Sequence, residues 1–123
     1  MKWFLYGAAA LHALFMVCEL FPWSSPVLMR IVGKKLPRGQ AWTPAQHELV
    51  ATIVHNAGIY NGIVAAGLCF AGLRGEPARD LALVLLAGAV AAGVFGTATL
   101  KSPLTAVQAL VGLIGLALLA APT

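Results

Sequence analysis

The chain has 123 residues, of which 60% are hydrophobic and 10% are charged, with a formal net charge of +4 at neutral pH. Soluble domains are about 45–50% apolar and about 25% charged, so this composition excludes a soluble enzyme, a disordered tail and a nucleic-acid-binding module. A mean hydropathy of +0.88 predicts instead an integral membrane protein with one domain over residues 1–123, whose cations face lipid headgroups rather than a nucleic acid.

Four apolar runs are long enough to cross a hydrocarbon core, which requires about 20 helical residues. They cover about residues 3–21, 44–73, 80–100 and 103–121. Thr43-Pro44 before the second run, with Gln46 following, predicts an N-cap, a proline at the first helical position and a capping box. Ser102-Pro103 predicts the same kind of start for the fourth run. The predicted fold class is therefore all-α, an integral membrane four-helix bundle.

The first loop, residues 22–43, is longer than the two connections that follow it. It contains several apolar residues and four cations between Trp23 and Trp42, two aromatic residues of the kind found at membrane interfaces. Ser25-Pro26 could start a short amphipathic helix lying on the membrane surface. The alternatives for this loop are such an interfacial helix and an irregular connection.

The distribution of lysine and arginine predicts the orientation in the membrane. Four crossings place both termini on one side, together with the second loop. That side carries three cations and the other side carries five: Lys2, Arg74 and Arg79 against Arg30, Lys34, Lys35, Arg38 and Lys101. Because cytoplasmic loops are enriched in such residues, the first and third loops are expected in the cytoplasm and the termini outside.

Small residues recur at intervals of four in the second and third runs: Gly58, Gly62 and Ala66, and then Gly88, Ala92 and Gly96. Such rows let helix backbones approach closely in a membrane, so they predict the packing faces. Cys18 and Cys69 lie near the ends of the first two runs. Antiparallel packing separates those ends by roughly 30 Å, too far for a disulfide, so two free, packed thiols are expected.

Polar side chains within the runs carry the functional information, because an ionisable group at membrane depth costs at least about 2.5 kcal/mol and normally faces the protein interior. His12 and Glu19 are seven positions apart, so they lie about 20° from alignment on one helix face. Asn56 and Tyr60 are four positions apart and share a face of the second run. Asn61 points about 140° away from Asn56 and is expected to contact a different neighbour.

Antiparallel packing brings Glu19 to a level similar to that of the polar residues in the third and fourth runs, with His12 near the midplane. We therefore predict a polar pocket that opens toward the first and third loops, with Glu19 and His12 as an acid/base pair. The candidate ligand-binding residues are Asn56, Tyr60, Asn61, Gln108 and Thr97. For Asn61 and Thr97 the favoured alternative is a hydrogen bond that joins two helices. A packing role stays open for Tyr60 and an interhelical bond for Gln108.

Four sequence blocks carry a resemblance to a known family. They are His12 with Glu19-Leu-Phe-Pro-Trp23, Asn56-Ala-Gly-Ile-Tyr-Asn-Gly62, Gly93-Val-Phe-Gly96-Thr-Ala-Thr99, and Gln108. Over nearly its whole length the chain resembles domain-of-unknown-function family 1304, and the Asn-x-Gly-x-Tyr-Asn-Gly block is specific. The resemblance implies a small four-helix protein of the bacterial inner membrane. The family supplies no established activity.

Three classes of function follow from these residues. The first is a pocket that binds a small lipophilic or amphipathic molecule, with or without acid/base chemistry on it. The second is a small oligomeric transporter or proton-coupled permease, although no broken-helix pair or inverted repeat is present in the sequence. The third is a structural membrane subunit without a site. A metal site on His12, Glu19 and His55 is a weaker alternative, because His55 points away from the polar face of its helix and no Cys or His pair has the spacing of metal ligands. No metal is therefore expected, and no cofactor is assigned.

Overall fold

The computed structural model describes residues 1–21 and 40–121 and is helical over most of these ranges. Its helices are α1 (Lys2–Leu20), α2 (Pro44–Arg74), α3 (Arg79–Leu100) and α4 (Pro103–Ala120), with a 3-10 turn (Glu76–Ala78) before α3. Every helix begins and ends within one residue of the corresponding apolar run. All four are long and apolar enough to cross a membrane, which confirms the all-α membrane fold. The interfacial helix considered for the first loop lies outside the described residues.

The two proline-initiated helices begin in different ways. At α2 the capping box is confirmed: Gln46 N donates to Thr43 Oγ1 at 3.2 Å, and Thr43 N donates to Gln46 Oε1 at 3.0 Å. At α4, Ser102 occupies the N-cap position, but among the described residues its side chain makes no capping hydrogen bond. Its carbonyl oxygen instead accepts a hydrogen bond of 2.7 Å from the Thr105 hydroxyl. The expected hydroxyl cap at Ser102 is therefore wrong.

The chain forms two compact units. Unit 1 consists of Met1–Leu11 and the chain from Val64 onward, and unit 2 consists of His12–Ile63. Segments of all four helices meet in unit 1, around a core of alanine and leucine side chains: Leu5, Ala8, Ala9, Leu68, Ala71, Ala78, Ala82, Leu86 and Leu119. Small side chains let helices pack closely in lipid, where no hydrophobic effect draws them together. That the chain is a single domain stays a prediction.

Within unit 1, α3 and α4 are in backbone contact at glycine. A Cβ atom at Gly93 would lie 2.7 Å from the Thr105 carbonyl oxygen and closer still to Ala109 N. The predicted row of Gly88, Ala92 and Gly96 is wrong as a packing face, because Gly88 has nothing within 4 Å and both it and Ala92 are exposed. A strict interval of four drifts by about 40° per step around a helix. The buried positions on α3 alternate intervals of four and three instead: Ala82, Leu86, Ala89, Gly93 and Gly96.

Unit 2 contains the second half of α1 and the first half of α2. A Cβ atom at Gly58 would lie 3.0 Å from Leu20 Cγ, and one at Gly62 would lie 2.6 Å from Met16 Sδ. These two glycines therefore face α1, as the row on α2 predicted. Its third member, Ala66, is exposed. The close approach of the two helices allows polar side chains to reach from one to the other.

Cys18 and Cys69 are both free, as expected, but the prediction that they are packed is wrong because both are exposed. Leu14 and Val17 are exposed as well, so Cys18 belongs to the apolar outer face of α1. A thiol behaves as a small apolar side chain and is therefore compatible with a surface that faces lipid.

The helix α2 is longer than one membrane crossing requires. Its 31 residues correspond to about 46 Å, compared with about 30 Å for the hydrocarbon core. Glu48 near its beginning and Arg74 at its end are its two formally charged residues. The stretch between them therefore defines how far α2 can be immersed.

Candidate functional site

A chain of three polar side chains joins α1 to α2 within unit 2. His12 Nδ1 lies 2.9 Å from Asn61 Oδ1, and Asn61 Nδ2 donates a hydrogen bond of 2.7 Å to Glu19 Oε2. His12 and Glu19, about two turns apart on α1, therefore contact the same amide of α2. We refer to His12, Asn61 and Glu19 as the amide-bridged chain.

Donor and acceptor chemistry fixes the protons in this chain. Asn61 donates from its NH2 group to Glu19, and its carbonyl oxygen faces His12. Because that carbonyl oxygen only accepts, His12 Nδ1 carries the proton of the shared hydrogen bond. In this tautomer the lone pair of the imidazole is on Nε2, which is therefore the ring atom that can take up a proton.

The imidazole of His12 is held in place on several sides. The residue is 2% exposed, and its ring meets the Phe15 ring edge to face with centroids 5.9 Å apart. Glu19 is half-buried, and a Cβ atom at Gly58 would lie 3.2 Å from Glu19 Cβ, so a larger residue at position 58 would crowd the Glu19 side chain. Within the described ranges, no group of three His, Cys, Asp or Glu side chains could hold a metal ion.

Asn56 and Tyr60 lie on the exposed face of α2. Tyr60 is 63% exposed, and Asn56 is about 160° around the helix from Gly58, which faces α1. Thr52, on the same face, donates its hydroxyl hydrogen bond to the Glu48 carbonyl oxygen at 3.0 Å. The structure thus brings Asn61 to His12 and Glu19, and it places Asn56 and Tyr60 on another face of the same helix.

Thr97 and Gln108 belong to unit 1. The Thr97 hydroxyl donates to the Gly93 carbonyl oxygen at 2.7 Å and lies 3.1 Å from the Thr105 hydroxyl of α4. Thr97 therefore makes a hydrogen bond between two helices, which is the favoured alternative to a ligand-binding role for this residue. Gln108 is half-buried on α4. The pocket that would combine these two residues with the amide-bridged chain stays a prediction.

The sequence contained a signal that would have selected Asn61 as the partner of His12 and Glu19. Asn61 lies three positions after Gly58, about 60° away around the helix, and therefore on the face that the small-residue row assigns to packing. Asn56 is on nearly the opposite face. The small-residue row identifies the face of α2 that packs on α1, and of the two asparagines only Asn61 lies near that face.

Arg79 has a structural role that its interpretation as a topology signal missed. Its Nη2 atom donates a hydrogen bond of 2.6 Å to the Leu119 carbonyl oxygen. Because α3 and α4 are consecutive and antiparallel, a cation at the start of α3 lies beside the last carbonyl groups of α4. A positive charge at that place also interacts favourably with the helix dipole.

A cavity lies in unit 1, where α1 and α3 begin and α2 and α4 end. Its volume is about 80 Å³. Its walls are Met1, Lys2, Leu5, Ala71, Gly72, Gly75, Glu76, Ala78, Arg79, Ala82 and Leu119. None of the described candidate site residues lines this cavity.

The match to a protein family covers most of the chain. The family described as "Protein of unknown function (DUF1304)" matches residues 7–120, a range that includes every candidate residue from His12 to Gln108. No curated protein and no solved structure matches the chain. The resemblance inferred from the four sequence blocks is confirmed, and the chain belongs to the DUF1304 family.

Proposed function

We propose that the protein binds a small lipophilic or amphipathic molecule within the membrane and that His12 is an acid/base group toward it. The amide-bridged chain is the observation that supports this proposal, because it holds a buried imidazole in one tautomer. Two ionisable residues at membrane depth each cost at least about 2.5 kcal/mol. A purely structural contact between α1 and α2 does not require them, since Met16 and Gly62 make such a contact nearby.

The three residues have different roles in this proposal. His12 Nε2 exchanges the proton with the bound molecule, Asn61 orients the imidazole, and Glu19 orients Asn61. A hydrogen-bonded neighbour that sets the tautomer and direction of an imidazole is a common device in acid/base sites. Glu19 and Asn61 are thus positioning residues.

The amide also bears on the alternative of a proton-coupled permease. In a proton relay, His12 and Glu19 would exchange protons along a continuous path, as ionisable residues do in many pumps. A primary amide between them can pass a proton only by becoming an imidic acid, which is energetically unfavourable. The arrangement therefore favours a binding site with acid/base chemistry over a relay from one residue to the other.

Native mass spectrometry of the purified protein tests this function. We expect a co-purified small molecule on the wild type and its loss from His12→Gln and Asn61→Leu, which change the base and its orienting group. Thr99→Val is the matched control, because the Thr99 hydroxyl donates only to Phe95 O within its own helix among the described contacts. Equal retention by all variants would contradict the proposal and favour a structural subunit. Proton flux in vesicles that depends on Glu19 would favour the permease.

The tautomer of His12 provides a second measurement that does not depend on finding the molecule. We expect ¹⁵N NMR of histidine-labelled protein to show a proton on Nδ1 of His12 in the wild type. Asn61→Leu removes the acceptor that selects this tautomer, so the signal should shift toward the Nε2-protonated form. An unchanged signal would show that Asn61 does not orient the ring.

We further infer that the protein associates with a second copy through the exposed face of α2. Asn56 and Tyr60 place an amide and a phenol on the surface of a helix that can cross a membrane, where lipid offers them no hydrogen bond. In a symmetric dimer a residue can face its own copy, and an amide both donates and accepts. Asn56→Leu is expected to reduce cross-linking between copies in a membrane, and Leu110→Ala on the exposed surface of α4 is the control.

A further inference from the structure

The cavity of unit 1 combines an apolar base with a charged rim. Leu5, Ala71 and Ala82 are each no more than 3% exposed and form part of its wall. The rim carries three charged side chains, which are Lys2, Glu76 and Arg79. The lining thus combines two cationic side chains and one carboxylate with buried apolar residues.

Arg79 is already oriented at this cavity. Its guanidinium has five N–H donors, and Nη2 uses one on the carbonyl oxygen of Leu119, which is itself a wall residue. The hydrogen bond places the guanidinium at the cavity wall, and the other donors can serve a ligand. The planar guanidinium of arginine is well suited to bind two oxygens of a phosphate group.

Lys2 and its neighbour Trp3 place the rim at the membrane–water interface. Lys2 Nζ lies 5.3 Å from the centroid of the Trp3 ring, and Trp3 is 79% exposed. Exposed tryptophan at a helix end is typical of the headgroup region of a bilayer. The charged rim is therefore at the level of lipid phosphates.

The volume matches a headgroup fragment. At about 80 Å³ the cavity has room for a few water molecules or for one tetrahedral phosphate group. An entire lipid does not fit in this space, so its acyl chains would run along the lipid-facing surface of the helices.

We propose that this cavity binds the phosphate group of a phospholipid whose headgroup also carries an ammonium group. Lys2 and Arg79 bind the phosphate oxygens, and Glu76 faces the ammonium. A headgroup with phosphate as its only charge would leave the Glu76 carboxylate opposed to negative charge, so a zwitterionic lipid is preferred. This site is independent of the acid/base function proposed for His12.

Native mass spectrometry with defined lipids tests the site. The protein is mixed with equal amounts of phosphatidylethanolamine and phosphatidylglycerol, and bound lipid is counted. We expect the wild type to retain phosphatidylethanolamine preferentially and Lys2→Gln to weaken that retention about fivefold, the contribution of one cation near a membrane surface. Lys101→Gln removes a cation at the opposite end of α3 and is the matched control, expected to leave retention unchanged.

Glu76→Gln separates this proposal from a general attraction of cations to lipid. Without the carboxylate, phosphatidylglycerol should bind as well as or better than phosphatidylethanolamine. Retention that is the same in wild type, Lys2→Gln and Glu76→Gln would overturn the proposal, as would equal losses in Lys2→Gln and Lys101→Gln. Displacement of the lipid by inorganic phosphate would identify a soluble anion as the ligand and overturn the lipid assignment.

Discussion

Asn61 determines what the side chains of His12 and Glu19 can do. If Asn61 were absent, the buried imidazole of His12 and the half-buried carboxyl group of Glu19 would each lose a hydrogen bond. With it, one side chain of α2 satisfies both and fixes which nitrogen of the ring carries a proton. The chemistry proposed for His12 therefore depends on a residue that cannot itself titrate.

Replacing Asn61 by leucine should lower the free energy of unfolding by about 1–3 kcal/mol, because two polar groups lose a partner in a region of low polarity. Reversible unfolding in lipid–detergent micelles measures the change. Thr99→Val is the comparison, since its hydroxyl bonds to Phe95 O of the same helix, and its effect should stay within about 0.5 kcal/mol. Equal effects of the two substitutions would mean that the amide-bridged chain does not stabilise the contact of α1 with α2.

At the scale of residues, the sequence predicted that two members of the amide-bridged chain, His12 and Glu19, belong together. The cost of ionisable groups in a membrane singled out His12 and Glu19, and their spacing placed them on one face. The partner was harder to predict because α2 carries apolar residues on every side and polar residues on more than one, so that periodicity does not distinguish its inner face. The contact of Gly58 and Gly62 with α1 decides that face and thereby selects Asn61 over Asn56.

The packing of α3 against α4 depends directly on glycine, because glycine has no side chain. Gly93 lies against the backbone of Thr105 and Ala109. Backbone atoms in a helix cannot move away as the end of a flexible side chain can. Any Cβ atom there must push the two helices apart. The pairing was predictable from the short third loop, but the contact positions were not, because they follow alternating intervals rather than the interval of four.

Gly93→Ala is therefore expected to destabilise the protein by about 1–3 kcal/mol, the usual effect of overpacking. Gly88→Ala, on the same helix, is the matched control because nothing lies within 4 Å of its Cβ position. It should be neutral or stabilising by up to about 1 kcal/mol, since alanine favours a helix over glycine. Thermal unfolding of both variants in the same lipid is the measurement, and a similar loss in both would refute the backbone contact.

The end of α3 offers a stabilising substitution. Lys101 adopts a left-handed conformation with φ of 50°, which costs an L-residue about 1–2 kcal/mol. Lys101→Gly removes that cost but adds the entropy that glycine loses on folding, about 0.5–1 kcal/mol, so a small net gain in melting temperature is expected. Lys101→Ala removes the same charge while keeping a Cβ atom and should show no gain. A gain in the alanine variant would attribute the effect to charge instead.

For the whole molecule, hydropathy and cap signals predicted the four helices because both act locally along the chain. Orientation depends on the membrane and requires its own measurement. In a Cys18→Ala, Cys69→Ala background, a cysteine at Glu76 should react with a membrane-impermeant maleimide in intact cells. A cysteine at Ser102 should react only after permeabilisation, because the positive-inside rule places the third loop in the cytoplasm. The reverse pattern would invert the proposed topology.

The length of α2 has a consequence for how the protein meets membranes of different thickness. Between Glu48 and Arg74 it has 25 residues without formal charge, about 37 Å of helix, which exceeds a hydrocarbon layer of about 30 Å. Such a mismatch is relieved by tilting the helix or by local thickening of the bilayer. A thicker bilayer would let α2 stand more upright without drawing either charge inside, so lateral sorting toward thicker regions is the expected response.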